Sequence, residues 1–226
     1  MKRDLKGARV LLAGATGGLG REIGLALIEA GASLVLFARD SDRLDALDLP
    51  GPRVVGDIAD GEACRRAVEV ARSALGGLDG VINATGVVAF GELESLSDPV
   101  IDELLSTNLI GPVRLARAAL SALEEEGGFI AHLSAVVAER PMAGMAFYSA
   151  TKAALTALDQ ALAKELRRRG IDVIDLRPPH SETGLAQRPI SGVAPKLPPG
   201  LSPRRVADRV LRAIQDGERE VSSTAF

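Results

Sequence analysis

Tyr148 and Lys152 stand four residues apart in a stretch patterned as a helix, so a phenol and an ammonium share one face. An ammonium beside a phenol stabilises the phenolate and draws its pKa down from about 10. Such a phenol can give or take a proton near neutral pH. Tyr148 is the only tyrosine of the chain. A second group is suited to binding. Gly14-Ala15-Thr16-Gly17-Gly18-Leu19-Gly20 joins an apolar run to a helical pattern. Glycines there let the backbone turn tightly and let a pyrophosphate approach the N–H groups at the helix start. The spacing is Gly-x3-Gly-x-Gly, not Gly-x-Gly-x2-Gly, and no Lys-Ser/Thr pair follows, which excludes an ATP-type P-loop. Arg39 ends the next apolar run, about 20 residues on, where a guanidinium accommodates a 2′-phosphate. Asp40 beside it is an acidic competitor for a ribose hydroxyl, and the bland alternative is a surface Arg39 paired with Asp40 or Asp42. The pattern favours NADP(H) over NAD(H) as cofactor.

The elements that must position these groups alternate along the whole chain. Apolar runs at 8–13, 33–38, 53–56, 80–84, 129–134 and 171–176 read as buried strands, and 220–225 as a seventh. Between them, 18–30, 42–47, 61–75, 97–125, 145–169 and 203–216 read as helices, with Gly31 and Gly76-Gly77 as stops and Ser97-Asp98-Pro99 as a start. Continuous apolar strands alternating with helices imply an α/β fold, a parallel sheet of six to seven strands covered on both faces. The expectation is one domain over 1–226, with a Pro- and Gly-rich loop at 177–200 whose part from 184 to 200 is long enough to be a lid.

Composition narrows the function. The 226 residues carry 27 Lys+Arg against 30 Asp+Glu, a net charge of −3, with one Tyr, five Phe and no Trp. That balance lacks the basic footprint and stacking platforms of a nucleic-acid binder. A lone Cys64 makes no internal disulfide and no cysteine-based zinc cage, and His132 and His180 lack metal-ligand spacing. No run approaches the roughly 18 apolar residues of a membrane span, and no signal-like segment opens the chain. A cytoplasmic protein without membrane or nucleic-acid partners is expected. Pro112 adds a local constraint: it has no N–H, so the carbonyl of Asn108 loses its helical partner, and Gly111 beside it permits a kink.

In this order the motifs resemble those of the short-chain dehydrogenase/reductase family, over nearly the whole chain. The matching elements are Gly14, Gly18 and Gly20; Asp57-Ile58 after the third strand; Asn83-Ala84-Thr85-Gly86 after the fourth; Asn108; Tyr148-Ser149-Ala150-Thr151-Lys152; and Arg177-Pro178-Pro179-His180-Ser181-Glu182-Thr183, similar to a Pro-Gly-x3-Thr stretch. The resemblance implies a Rossmann-type sheet and a nicotinamide-dependent oxidoreductase acting on a small carbonyl compound or alcohol, as a homodimer or homotetramer. It implies that Gly14, Thr16, Gly18, Leu19, Gly20, Arg39, Asp57, Ile58, Asn83, Ala84, Pro178 and Thr183 bind the cofactor. Asp57 would touch the adenine and Thr183 the nicotinamide amide. Lys152 would hold the nicotinamide ribose and tune Tyr148, which would protonate the substrate oxygen. The carbonyl of Asn108 would link Lys152 to solvent.

The pattern breaks at one place. The family's catalytic Ser falls on Ala135, thirteen residues before Tyr148, and losing such a donor costs roughly 10²–10³ in rate. Ser134 is a catalytic candidate only if the strand ends there and the backbone turns, because neighbouring strand residues face opposite ways. The alternative to an enzyme is therefore a cofactor-holding sensor or partner protein with weakened catalysis. Ala84-Thr85 replaces the more usual Asn-Ala, and Pro179 replaces a Gly. His180 is within reach of a substrate or is an exposed loop histidine. His132 and Cys64 read as structural, and Arg167–Arg169 as a solvated helix end.

Overall fold

The structure, a computed structural model, describes residues 2–226. Seven strands form a single parallel sheet: β1 (Arg9–Ala13), β2 (Ser33–Ala38), β3 (Arg53–Val55), β4 (Gly80–Asn83), β5 (Phe129–Leu133), β6 (Asp172–Leu176) and β7 (Glu220–Val221). Their order is β3-β2-β1-β4-β5-β6-β7, and each neighbouring pair runs parallel. Each of β1, β2, β4, β5 and β6 is buried along nearly its whole length, which is why it reads as a continuous apolar run. Strand order reverses between β1 and β4, so the loops leaving their carboxyl ends part and open a crevice, where ligands of open α/β sheets bind.

Helices cover both faces. On one side α1 (Gly18–Glu29) packs on α7 (Pro203–Asp216) over Leu12, Leu34, Leu36, Ile82 and Ile174. On the other, α3 (Gly61–Leu75) and α5 (Gly111–Glu126) cover Leu11, Val35, Val81, Ile130 and Val173. These residues alternate along each strand, one to each face. Cys64 lies in the second core, as expected of a small apolar residue, and burial pushes its thiol up to about 11. The short α2 (Ser41–Asp45), α4 (Asp98–Leu105) and the long α6 (Ala146–Glu165) complete the fold. Among the described residues, no helix is long and apolar enough to cross a membrane.

Three expectations shift. The helix expected over 97–125 divides into α4 and α5, joined by a wide π-type turn at Ser106–Ile110, where the Gly111 N–H reaches back five residues to the Ser106 carbonyl. Pro112 cannot donate to Asn108, and the extra residue in the turn is how the chain accommodates that. The helix expected to end at Arg169 becomes 3₁₀ over Leu166–Arg169 after α6, with Arg169 bonded to Glu124 at 2.7 Å. The last strand keeps two residues, and Ser223–Ala225 form a 3₁₀ turn instead.

Candidate active site

At the crevice, the turn from β1 to α1 is shaped for something other than protein to sit against it. Gly14 has φ +80°, and a Cβ there would lie 2.7 Å from the Ala84 carbonyl carbon, so the loop after β4 comes up directly beneath it. Gly20 packs against the Gly14 carbonyl, closing helix onto loop. A Cβ on Gly18 would meet the Thr183 carbonyl at 2.5 Å, so the segment after β6 crosses the start of α1. No side chain caps α1 and no acidic residue stands in its first turn. By contrast, α2, α3 and α7 are capped by their own Asp40, Asp60 and Ser202. Left uncapped at a ligand crevice, the α1 terminus offers free N–H groups and the positive end of its dipole to an anion. These features fit a dinucleotide pyrophosphate.

A cavity of about 730 Å³ extends from this turn across the carboxyl ends of the strands. It gathers most of the residues expected from sequence: Gly14, Thr16, Gly18 and Leu19 at the glycine turn, then Arg39, Ile58 and Ala84. At its far end lie Ser134, Tyr148, Lys152, Pro178 and Thr183. Four expected residues stand outside the wall. Gly20 is packed as described. Asp57 accepts from the Ala59 N–H at 2.8 Å and lies 3.8 Å from Arg39. Asn83 is buried and braces the next turn, accepting from the Thr85 N–H and hydroxyl. Asn108 is fully buried, and its amide pairs with both backbone groups of Val87 at 2.9 Å. A Cβ on Gly86 would sit 3.4 Å from both Asn108 Oδ1 and Lys152 Nζ, so the widened turn and the lysine meet across that glycine.

The phenol and the ammonium are both enclosed. Tyr148 is 7% exposed, and its hydroxyl makes no hydrogen bond to a described residue. Burial pushes the phenol up to about 12, opposite in direction to the expected lowering. Lys152 donates to the Leu133 carbonyl at 2.9 Å, and burial drives its ammonium down to about 8, against the pull of Asp175 and Asp159. Desolvation of both groups outweighs the expected mutual stabilisation.

Ser134 does not meet the condition set for it. The chain runs on straight after β5: Ser134 donates to the Leu176 carbonyl and Val136 to the Pro178 carbonyl, with Ala135 fully extended between them. The two side chains therefore face opposite ways. The Ser134 hydroxyl donates to the Lys152 carbonyl at 2.9 Å and lies 3.1 Å from Thr156 Oγ1. Ala135 packs with the cluster that contains Tyr148 and presents a methyl there.

Sequence reasoning missed Arg43 and the nature of the loop after β6. Arg43 lines the cavity and donates to the Thr16 carbonyl at 2.6 Å. Its signal was the Asp40-x2-Arg43 spacing, since Asp40 caps α2 by accepting from the Arg43 N–H. The loop is tied down at two places. Ile190 donates to Val88 and Phe90 to Ser191, each at 2.9 Å, while Ser181 pairs with Leu201. His180 lies in the wall, its Nε2 3.6 Å from Glu182. At this end the wall is apolar: Val88, Phe90, Val137, Met145, Leu185 and Ile190.

Comparison with known proteins gives one consistent result. The family described as short chain dehydrogenase matches residues 8–192. A dehydrogenase/reductase of the SDR family, member 7B, from Xenopus laevis is 30% identical, the match covering 96% of this chain and 74% of that one. An uncharacterised oxidoreductase of Staphylococcus aureus is 29% identical over 90% and 89% of the two chains. Among solved structures, a short-chain dehydrogenase of Burkholderia cenocepacia in complex with NADP superposes with TM-score 0.83 at 28% identity, over 98% of each chain. One from Streptomyces avermitilis gives 0.84 at 27% identity, over 96% of this chain and 90% of that one.

Proposed function

The chain belongs to the short-chain dehydrogenase family and is a nicotinamide-dependent oxidoreductase, and from that premise we propose that it uses NADP(H) and Tyr148 to interconvert an apolar carbonyl compound and its alcohol. When bound, the nicotinamide supplies or accepts the hydride. The Tyr148 hydroxyl donates the proton to the carbonyl oxygen in reduction and takes it back in oxidation. Lys152, when charged, offsets the developing phenolate and holds the nicotinamide ribose. Asn108 keeps the turn beside Lys152 fixed through its pair with Val87. The observation that carries the reading is the shared cavity: an uncapped, glycine-lined helix start at one end and a buried Tyr-x3-Lys pair at the other.

Two further points support the finer assignment. Asp40 is committed to capping α2, which leaves Arg39 and Arg43 as the cations that line the cavity beside the glycine turn, suited to a 2′-phosphate. Asp40 is also the one carboxylate in the cavity wall. The wall near Tyr148 is aliphatic and aromatic, which suits alkyl or aryl ketones rather than sugars. Gly14, Thr16, Gly18, Leu19 and Gly20 would hold the pyrophosphate, Asp57 and Ile58 the adenine, Asn83 and Ala84 the neighbouring ribose, and Pro178 and Thr183 the nicotinamide. Residues 184–200 form the lid of a single 1–226 domain, acting in the cytoplasm as a homodimer or homotetramer.

NADPH oxidation with acetophenone and longer aryl ketones tests this. Turnover is expected, with Tyr148→Phe lowering kcat by about 10³-fold and leaving NADPH affinity unchanged. Full activity in that variant would overturn the role of Tyr148. Ala135 favours a second reading, a sensor that holds NADP(H) without efficient chemistry. Tight NADPH binding with negligible turnover of any ketone would select it.

A further inference from the structure

Behind Lys152 lies a buried run of polar side chains that the proposed chemistry leaves without a task. Lys152, Thr156 and Asp159 recur at i, i+4 and i+7 on α6, one stripe of the helix, and it faces the end of β5 and β6. His132 of β5 and Asp175 of β6 are register partners in the sheet. His132, Asp159 and Asp175 are closed off from water. His132 Nδ1 lies 2.6 Å from Asp159 Oδ1. The Thr156 hydroxyl lies 3.1 Å from Ser134 Oγ and 3.2 Å from Asp175 Oδ1, and Ser134 donates to the Lys152 carbonyl. At the rim, Arg177 Nε is 3.2 Å from both Asp175 and Glu139, and its Nη2 is 3.0 Å from Glu220.

As packing alone this is a poor design. Apolar residues would hold α6 on the sheet without the desolvation that two carboxylates suffer. Asp159 Oδ2 and Asp175 Oδ2 have no hydrogen-bond partner, so their charge is offset through space by cations. Arg177 serves Asp175 from the rim and also serves two glutamates. Inside the core Lys152 shares its stripe of α6 with Asp159, and both carboxylates pull its ammonium up against burial. Other buried polar groups on the elements around it are Tyr148 on α6, His132 on β5, and the uncharged Thr107 and Asn108 of the wide turn, of which Asn108 faces Lys152 across Gly86.

We infer that Asp159 and Asp175 are positioning residues that hold the charge of Lys152 from the side away from the cavity, with His132 fixing the carboxylate of Asp159. The inference rests on Lys152 being the lysine of the proposed acid–base pair. The sign follows from burial. Desolvation lowers the ammonium and the carboxylates oppose it, so removing either carboxylate makes Lys152 give up its proton at lower pH. Asp175 is itself pushed up to about 6, so it is ionised throughout the range in which Lys152 titrates.

The test is an NMR titration of the lysine ¹³Cε signals, five in this chain, with Lys152 assigned by loss of its signal in Lys152→Met. Asp159→Asn and Asp175→Asn are each expected to lower the Lys152 midpoint by about one pH unit. The alkaline limb of kcat/KM for acetophenone reduction is expected to move down with it. His132→Asn, whose amide can still reach Asp159, is expected to leave both near the parent values. An unchanged Lys152 midpoint in the folded Asp→Asn variants would overturn the inference and leave the cluster as packing. Should Asp159→Asn fail to fold, Asp175→Asn decides alone. The NMR readout needs no turnover, so a failure of the proposed ketone chemistry is seen separately from a failure here.

Discussion

The two ends of the cavity are built from different materials. At the nucleotide end, β1, α1 and β2 present backbone: a glycine at φ +80°, a helix start without a cap, and a carbonyl of Thr16 that holds Arg43 in place. The charged side chains there, Arg39, Asp40 and Arg43, are exposed, and Arg39 is half open to solvent, loosely set between Asp57 and Glu103. At the reaction end, β5, α6 and β6 present buried side chains: Tyr148, Lys152, Ser134, Asp159 and Asp175. The first end depends on what is missing from the side chains. The second depends on charges that only their neighbours keep in place. Substitutions at the first should act on cofactor affinity and at the second on rate and pH dependence.

The largest expected separation comes from Gly14→Ala. The methyl would collide with the Ala84 backbone and the residue would be held at a strained φ. NADPH affinity should fall by about a hundredfold, equivalent to about 2.7 kcal/mol, as read by calorimetry. An affinity within threefold of the parent would show that this turn does not carry the cofactor. Ala135→Ser probes the other end. It adds a hydroxyl on the face of the chain that packs with Tyr148, opposite to Ser134. Carbonyl reduction should rise by about tenfold or more, since a single oxyanion donor is worth roughly 10²–10³ in established cases, while NADPH affinity stays put. No gain in rate would mean that the carbonyl oxygen does not lie between these two residues. A smaller effect is expected from Arg43→Ala, about tenfold weaker NADPH binding with NADH binding unchanged, because one charge-assisted contact to a phosphate is lost. Equal losses for both cofactors would move Arg43 from the 2′-phosphate to the glycine turn itself.

How much of this the sequence disclosed follows the same division. Strands buried on both faces announce themselves as apolar runs and helices by their apolar spacing, so Ser33–Ala38 and Gly61–Leu75 lie where the pattern put them. Glycine spacing is written in the sequence because the need for it is local. The paired amide of Asn108 with Val87, the turn of Ser134 towards α6 and the meeting of His132 with Asp159 depend on residues 21, 18 and 27 positions apart. No local pattern encodes such meetings. His132 read as one more strand residue, and Asp175 lay without distinction inside the run at 171–176. The expected fall in the phenol's pKa failed for a related reason: spacing placed an ammonium nearby, but burial, a property of the whole fold, raised it instead. Pro112 is the middle case. Its missing N–H made a disturbance at Asn108 legible, yet only the fold showed it as a widened turn between α4 and α5.

Asp175→Asn should have the smallest effect and a sign that distinguishes a functional charge from a structural one. In the folded protein burial and Asp159 push the Asp175 carboxyl up to about 6 from its ordinary 3.8. A raised acid is more easily protonated folded than unfolded, so its contribution to stability is fully present below the ordinary value and is lost as pH rises through about 6. Asparagine never ionises and does not suffer that loss. Arg177 keeps Glu139 and Glu220 when Asp175 is gone, so its charge is not stranded. The variant should therefore melt about 2–4 °C above the parent at pH 8, corresponding to about 1 kcal/mol in a chain of this size, with the gain vanishing by pH 4. Calorimetric melts across that range measure it. A variant that melts below the parent at pH 8 would make Asp175 part of the packing, and the reaction end would then differ from the nucleotide end in burial alone. A gain at pH 8 would mean the parent holds an ionised carboxylate in its core against its own stability, as expected if that charge is there for Lys152.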